Sequence, residues 1–85
     1  MKIKYSLDVL KPHQPSNDLL ARSLKKITGV VAVKIKVDEI DQKTTSIFID
    51  IKGIDISLET ITETLEEMNC SLHSVDLISI KDGEY

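Results

Sequence analysis

Hydrophobic and polar residues alternate along three stretches of the chain, and this period of two indicates β-strands that bury one face. The apolar phases are Ile3, Tyr5, Leu7 and Val9 within residues 2–10, then Val31, Val33, Ile35 and Val37, then Thr45, Ile47, Ile49 and Ile51. A fourth strand is predicted at about 71–80. Its apolar residues fall in both phases, with Leu72, Ile78 and Ile80 in one and Val75 and Leu77 in the other. A strand of this kind is usually covered on both faces, so we expect both faces to be packed.

Two further stretches repeat apolar residues at the spacing of an α-helix. The first helix is predicted over about residues 16–28, with Ser16 as its N-cap and Gly29 as a left-handed stop. Ser57 caps the second helix, which ends near Asn69.

The connections contain residues that interrupt regular structure. Pro12 and Pro15 are expected to end the first strand, because proline cannot donate a hydrogen bond to a sheet. The polar stretch from Glu39 to Thr45 lacks an Asn-Gly or Asp-Gly pair. A loop of several residues is therefore predicted between the second and third strands.

The predicted order is strand, helix, strand, strand, helix, strand. Two split β-α-β units of this kind interleave into one antiparallel sheet of order 4-1-3-2 with both helices on one face, which is an α+β ferredoxin-like sandwich. We expect residues 1–85 to form one domain, because a chain of 85 residues is too short for two cores. A domain this small has modest stability by itself, to which self-association can add.

The composition is that of an ordinary globular protein, with 41% hydrophobic and 29% charged residues. The net charge of -3 argues against a dedicated nucleic-acid binder, which normally has a basic face and stacking aromatic residues. Cys70 is the only cysteine, so no intrachain disulfide is possible and a reducing cytoplasm is expected. The chain enters a strand pattern at its start and has no run of ~20 apolar residues, so we expect neither a signal peptide nor a membrane helix.

Acidic residues and a histidine share one rim of the predicted sheet, where the first and second strands end and the third and fourth begin. The residues at this rim are Asp8, Asp38, Glu39, Asp41 and His73. Carboxylate oxygens suit calcium or magnesium and imidazole nitrogen suits zinc, so the rim is a candidate cation site. Carboxylates at strand ends are also commonly just solvated.

Five lysines form a second cluster, a band across the open face of the sheet, which is the face away from the helices. The band consists of Lys2, Lys4, Lys34, Lys36 and Lys52. It has the charge to hold an anion or RNA, but charge on a solvated sheet face is the commoner reason for such a band. Lysines on an edge strand also discourage aggregation.

The remaining reactive residues have structural explanations beside functional ones. His13 and His73 have the chemistry of a general base, but histidines in a turn or at a strand start also make local hydrogen bonds. Cys70 is nucleophilic only if its pKa is depressed, and otherwise fills core space. No nucleophile paired with a base and no glycine-rich phosphate loop is present. We therefore expect no enzyme activity, no catalytic residue and no organic cofactor.

The segment Leu7-Asp8-Val9-Leu10-Lys11-Pro12-His13-Gln14-Pro15-Ser16 closely resembles the opening motif of a family of small archaeal proteins, domain of unknown function 211. The resemblance continues through Gly29-Val30, Glu39-Ile40-Asp41 and His73-Ser74-Val75-Asp76 and covers essentially the whole chain. It implies a ferredoxin-like fold, an archaeal cytosolic setting and a symmetric homo-oligomer, with no established activity.

Cation sites associated with that family carry over, by position, to Asp8, Glu39 and Asp41. Asp38 departs from the family pattern, in which a bulky apolar or aromatic residue is usual, and Gln14 stands where glutamate is common.

The favoured function is a non-enzymatic homo-oligomer that assembles through its last strand and open sheet face, with a calcium or magnesium ion at the acidic rim. The predicted metal ligands are Asp8, Glu39, Asp41 and His73. The doubly apolar last strand motivates the assembly, since a hydrated face does not carry so many aliphatic residues. The alternatives are a module that senses a small molecule, by analogy with other ferredoxin-like domains, and RNA binding through the lysine band.

Overall fold

Four antiparallel strands and two helices follow one another in the predicted order. In the computed structural model, which describes residues 1–85, the elements are β1 (Lys2–Pro12), α1 (Asn17–Lys25), β2 (Val30–Ile40), β3 (Thr44–Ile54), α2 (Leu58–Glu67) and β4 (Ser71–Lys81). The sheet order β2-β3-β1-β4 is the predicted 4-1-3-2 order seen from the other edge. The prediction of an α+β ferredoxin-like fold is confirmed. No helix is long and apolar enough to cross a membrane.

The core lies between the two central strands and the helices. Alternate residues of β1 and β3 point inward and meet one apolar stripe from each helix. The core residues with no exposed surface are Val9, Leu20, Leu24, Ile47, Ile49, Ile51, Ile61 and Leu65. Each such aliphatic side chain contributes about 1.5–3 kcal/mol by leaving water, so this two-layer contact supplies most of the favourable free energy of folding.

Serine caps start both helices as predicted. The Ser16 hydroxyl accepts a hydrogen bond from the Leu19 N–H at 3.1 Å, and the Ser57 hydroxyl accepts one from the Thr60 N–H at 3.1 Å. Gly29 adopts a φ of 93°, in the left-handed region that turns the chain from α1 into β2. The helix itself ends at Lys25, shorter than the predicted span.

The first strand runs further than its prolines suggest. β1 continues through Pro12, which pairs with Thr44 of β3, whereas its pairing with β4 stops at Leu10. Beyond Leu10 the strand is therefore a local edge, where a missing N–H is tolerated. The β2–β3 strands are also longer than predicted, and only residues 41–43 connect them.

The prediction that β4 is apolar on both faces is wrong. Its register with β1 shifts twice, so that Asp76 and His73 are extra residues of two β-bulges. Each bulge inserts one residue and reverses the alternation. Residues of both apolar phases consequently face the helices, because each is opposite an inward-facing residue of β1. The pairs are Leu72 with Val9, Val75 with Leu7, Ile78 with Tyr5 and Ile80 with Ile3. Only Leu77 remains on the open face.

The sheet is longer than the helices that cover it. Each strand has 11 residues and spans about 36 Å at ~3.3 Å per residue, whereas the 9-residue and 10-residue helices span only about 14–15 Å. The helix side of the sheet is therefore left bare at the hairpin, where Ile40 is 70% exposed, and along the β4 edge.

Two glycines meet where the α1–β2 turn crosses the end of β3, and this contact leads to a first prediction. The Gly29 carbonyl accepts a hydrogen bond from the Ile54 N–H at 2.8 Å, and a Cβ on Gly53 would overlap that carbonyl. Gly53→Ala should lower the free energy of unfolding by about 1–3 kcal/mol, because the overlap is with backbone.

Urea denaturation measures this change. Asp82→Ala, at an exposed position of the tail, is the control, because Gly83 has a φ of 103° and alanine would be strained there even without an overlap. Equal stability of the Gly53→Ala variant and the unsubstituted protein would show that the crossing is not tightly packed.

Candidate functional site

Asp8 lies at the centre of the acidic rim, on the sheet face away from the helices. It is half-buried, opposite Phe48 of β3 on one side and Ser74 of β4 on the other. A cavity of about 260 Å³ opens beside it. The cavity is lined by Asp8, Leu10, Asp38, Ser46 and His73.

Two β-bulges aim the neighbours of Asp8 at this cavity. His73 is the extra residue of one bulge in β4, next to the Asp8–Ser74 pair. Asp38 is the extra residue of a bulge in β2, where Val37 opposes Ile47 and Glu39 opposes Ser46. The structure thus brings Asp8 and His73 of the predicted ligand set together, with Asp38 as an additional carboxylate.

Glu39 and Asp41 lie further along the hairpin, outside this cavity. Glu39 shares a row of the sheet with Ser46 and Leu10, and this row lies one beyond the row of Asp8. Glu39 itself is on β2, two strands away from β1. Strand spacing alone separates Glu39 from β1 by roughly 10 Å. Asp41 is in the turn, where its N–H donates to the Thr44 carbonyl at 2.8 Å.

The carboxylates at the rim are unpaired. The two ion pairs of the molecule are Met1–Asp55 and Arg22–Asp18, both remote from the rim. The hydroxyl of Ser74, the cross-strand neighbour of Asp8, donates to Asp76 at 2.7 Å. No three histidine, cysteine, aspartate or glutamate side chains converge closely enough to hold a metal ion directly. The four-residue ligand set therefore stays a prediction.

Lys11 is a feature of this region that has no place among the predicted site residues. It is only 2% exposed, and its ammonium group donates to the carbonyls of Pro12 at 2.7 Å, His13 at 3.3 Å and Pro15 at 2.6 Å. All three donors are satisfied, so the buried charge holds the double-proline loop against the end of β1. The alternation of the first strand already indicated that Lys11 points inward, because it falls in phase with Leu7 and Val9.

His13 fixes the same loop to the β2–β3 hairpin. Its Nε2 donates to the Gln42 carbonyl at 2.9 Å, because a carbonyl can only accept, and its Nδ1 lies 3.2 Å from the Thr45 hydroxyl. Both ring nitrogens are thus engaged with the hairpin. The local hydrogen-bonding explanation of His13 accounts for its position.

Cys70 is buried below the same end of the sheet. Burial raises the pKa of its thiol, and the nearby Lys11 ammonium only partly opposes that shift. A raised pKa keeps the group protonated at neutral pH, whereas a nucleophilic cysteine needs a thiolate. Its Sγ lies 3.7 Å from the Met68 carbonyl, and the residue fills space in the core.

The buried ammonium gives a second prediction. Lys11→Met keeps the length of the side chain but leaves three carbonyls without their donor, which should lower the free energy of unfolding by about 2–3 kcal/mol. Urea denaturation checks this, with the exposed Lys43→Met as the matched control. An equal, small effect of both substitutions would contradict a clamping role for Lys11.

Comparison with known proteins identifies the family of this chain. Residues 3–83 match the family model described as uncharacterised ArCR, domain of unknown function 211. An uncharacterised protein of the archaeon Methanocaldococcus jannaschii, MJ0319, is 34% identical over 70 residues, which cover 82% of this chain and 72% of the relative. The chain therefore belongs to the family of domain of unknown function 211.

Proposed function

We propose that this protein is a non-enzymatic subunit of a homo-oligomer whose copies join edge to edge through their sheets. The observation that carries the proposal is the β4 edge. There Ile78 is 58% and Ile80 is 52% exposed, although both belong to the inward-facing series. The outer backbone groups of this 11-residue strand have no partner strand.

An edge of this kind is a template for pairing with another chain. Natural proteins protect edge strands with bulges, prolines or inward charges. Both bulges of β4 lie at or before Asp76, so residues 77–80 form a regular edge without a bulge, a proline or a charge, and Lys81 alone protects its end. A second strand placed there would satisfy the free backbone groups and cover Ile78 and Ile80.

Charge selects the partner edge. The helix beside β4 is α2, and its exposed residues include Glu59, Glu63, Glu66 and Glu67. The helix beside β2 is α1, whose Arg22 is paired with Asp18, so that Lys25 and the C-cap residue Lys26 give its exposed end a net positive charge. Symmetric β4–β4 pairing would set one acidic helix against another, whereas β4–β2 pairing sets the acidic helix against the basic one.

The β2 edge also has a shape that suits such a contact. A cavity of about 360 Å³ lies between α1 and β2, with Ala21, Ala32 and Val33 at its apolar part and Lys25 beside the Asp18–Arg22 ion pair at its charged part. Aliphatic side chains of a second copy would enter the apolar part, and its carboxylates would meet Lys25, which has no carboxylate partner of its own. Because the two surfaces differ, the contact is heterologous and extends until a ring closes.

The edge contact gives a third prediction. Ile78→Lys combined with Ile80→Lys should convert the oligomer to a monomer in sedimentation velocity, because two charges would replace the covered aliphatic surface. Phe48→Lys, on the middle of the open face, is the matched control and should leave the assembly intact. Dissociation by Phe48→Lys alone would place the interface on the open face instead.

Mixing variants distinguishes the two pairing modes. The Ile78→Lys/Ile80→Lys protein keeps its β2 edge, and an Arg22→Glu/Lys25→Glu protein keeps its β4 edge. For the β4–β2 contact, the mixture forms a heterodimer and stops there. For a symmetric β4–β4 contact, the charge-reversed protein dimerises by itself, and mixing it with the other variant produces no heterodimer.

We also propose that a divalent cation, calcium or magnesium, binds at the Asp8 cavity. The unpaired Asp8 and Asp38 carboxylates supply the oxygen ligands that such ions prefer, and His73 closes the third side. Ligands of one subunit are too few for direct coordination, so water or residues of a neighbouring copy would complete the shell. Glu39 and Asp41, on the projecting hairpin, are the residues placed to reach a neighbour.

The fourth prediction concerns this ion. Calcium or magnesium in excess should raise the melting temperature of EDTA-treated protein by several degrees, because an ion that binds only the folded form stabilises it. Asp8→Asn should abolish the increase. Asp82→Asn, in the exposed tail, removes the same charge and should preserve it. An absence of any shift with either ion would refute the site.

A further inference from the structure

Four lysines cluster on the open sheet face at the end opposite the acidic rim. In two adjacent rows of the sheet, Lys2 is directly opposite Lys81 and Lys4 is directly opposite Lys52. Directly opposed side chains have Cβ atoms about 5 Å apart, and like charges in that position are destabilising. The fold therefore concentrates four positive charges in a chain whose net charge is -3.

No carboxylate forms an ion pair with this cluster. Asp50, one row away, lines a neighbouring cavity with Lys4 and Lys52 and accepts a hydrogen bond from the Ser6 hydroxyl at 2.7 Å, and Asp82 and Glu84 follow Lys81 in the exposed tail. None of the four lysines takes part in an ion pair. The cluster is therefore a concentration of positive charge without a directly bound counterion.

Tyr85 organises one side of the cluster. Its ring centroid lies 5.4 Å from Nζ of Lys2 and 5.2 Å from Nζ of Lys52, so one aromatic ring interacts with two ammonium groups. Its hydroxyl donates to the Ile3 carbonyl at 3.1 Å, which holds the ring against β1. These contacts position ammonium groups that would otherwise spread into solvent.

The lysines surround a cavity rather than a flat surface. Its volume is about 200 Å³, and its lining is Lys2, Lys4, Lys52, Ser79, Lys81 and Tyr85. The Ser79 hydroxyl adds a neutral hydrogen-bonding group at the edge of the cavity. Ammonium groups converging on a small cavity match an anion with several charged oxygens, because each lysine binds phosphate as a point charge.

We propose that this cavity, the lysine pocket, binds a compact anion that carries two or more linked phosphate groups. The four ammonium groups match the charge of a diphosphate or triphosphate. The volume of the pocket is below the usual range of about 300–1,000 Å³ for drug-sized ligands, so the phosphate chain is the part recognised.

The same geometry argues against a nucleic-acid strand. A track for RNA requires continuous positive charge along the face, but Asp50 and then Asp8 follow the pocket along the open face. Lys36 lies opposite Phe48, two rows beyond Lys52, and contributes nothing to the pocket. The lysine band predicted from sequence therefore separates into the pocket, Lys34 opposite Asp50, and the isolated Lys36.

The fifth prediction uses inorganic tripolyphosphate, pyrophosphate and orthophosphate as ligands in calorimetry at low ionic strength. Affinity should rise from orthophosphate to tripolyphosphate. Lys2→Gln combined with Lys52→Gln should weaken tripolyphosphate binding by about tenfold or more, which corresponds to about 1.4 kcal/mol or more. Both lysines are on central strands, so the proposed edge contact is undisturbed.

Lys36→Gln combined with Lys43→Gln is the matched control, because both residues are exposed outside the pocket and the net charge changes equally. The control should bind as the unsubstituted protein does. Equal losses in both double variants would reduce the effect to general electrostatics and overturn the pocket, as would unchanged binding by the Lys2→Gln/Lys52→Gln protein.

Two further measurements separate the alternatives. ATP that binds as tightly as tripolyphosphate identifies the phosphate chain as the recognised group, whereas single-stranded RNA that binds more tightly than either would overturn the choice of a small ligand. Without ligand, the Lys4→Gln/Lys81→Gln protein should melt at a higher temperature than the unsubstituted protein, because both opposed lysine pairs are relieved while the contacts of Lys2 and Lys52 with the Tyr85 ring stay in place. A lower melting temperature would contradict the repulsion on which the proposal rests.

Discussion

The unbroken pairing of β1 with β3 is the constraint on which the rest of the structure depends. Every residue of β1, from Lys2 to Pro12, has its partner in β3 without a register shift. All the irregularities of the sheet lie in the outer pairs, β2 with β3 and β4 with β1. The central pair therefore sets which residues face the helices, and the outer strands adjust to it by bulges.

This constraint also distributes charge over the molecule. The outward residues of β1 run from Lys2 and Lys4 through Ser6 to Asp8, so the open face is positive at one end and negative at the other. Lys52 and Lys81 add positive charge at the first end as cross-strand partners, and the bulge residue Asp38 adds negative charge at the second. One face thus has two regions of opposite charge, and these are the sites proposed for a phosphorylated anion and for a cation.

The ends and edges of the sheet determine how copies of the protein can meet. The helices have nine and ten residues and the strands eleven, but a helix rises only about 1.5 Å per residue and a strand about 3.3 Å. The helices are therefore too short to cover the strands, and aliphatic side chains remain exposed on the helix side. The charges of α1 and α2 differ in sign, and each helix flanks a different edge. The proposed assembly through unlike edges rests on this asymmetry. It would border the lysine pocket at Ser79 and Lys81 of β4, whereas the pocket lysines of the two central strands would stay accessible.

The alternation of apolar residues was sufficient to predict the order of elements, the sheet topology and both serine caps, because periodicity and capping are local properties. Its failures came from non-local effects. The two apolar phases of β4 reflect bulges that occur only in pairing with β1, and Pro12 stays in a strand because no β4 residue lies beside it. The acidic rim was predicted from topology, but the register and the bulges placed Glu39 and Asp41 outside the Asp8 cavity.

The sequence by itself determined the fold, since each strand and helix needs one apolar face and the chain offers only one consistent arrangement of them. It also placed Lys11 on the inward side of β1, although only the tertiary structure supplies the three carbonyls that make a buried ammonium stable. Tertiary structure alone decided the lysine pocket, because Lys81 and Tyr85 lie about eighty residues from Lys2 and meet it only through the β1–β4 pairing and the final turn.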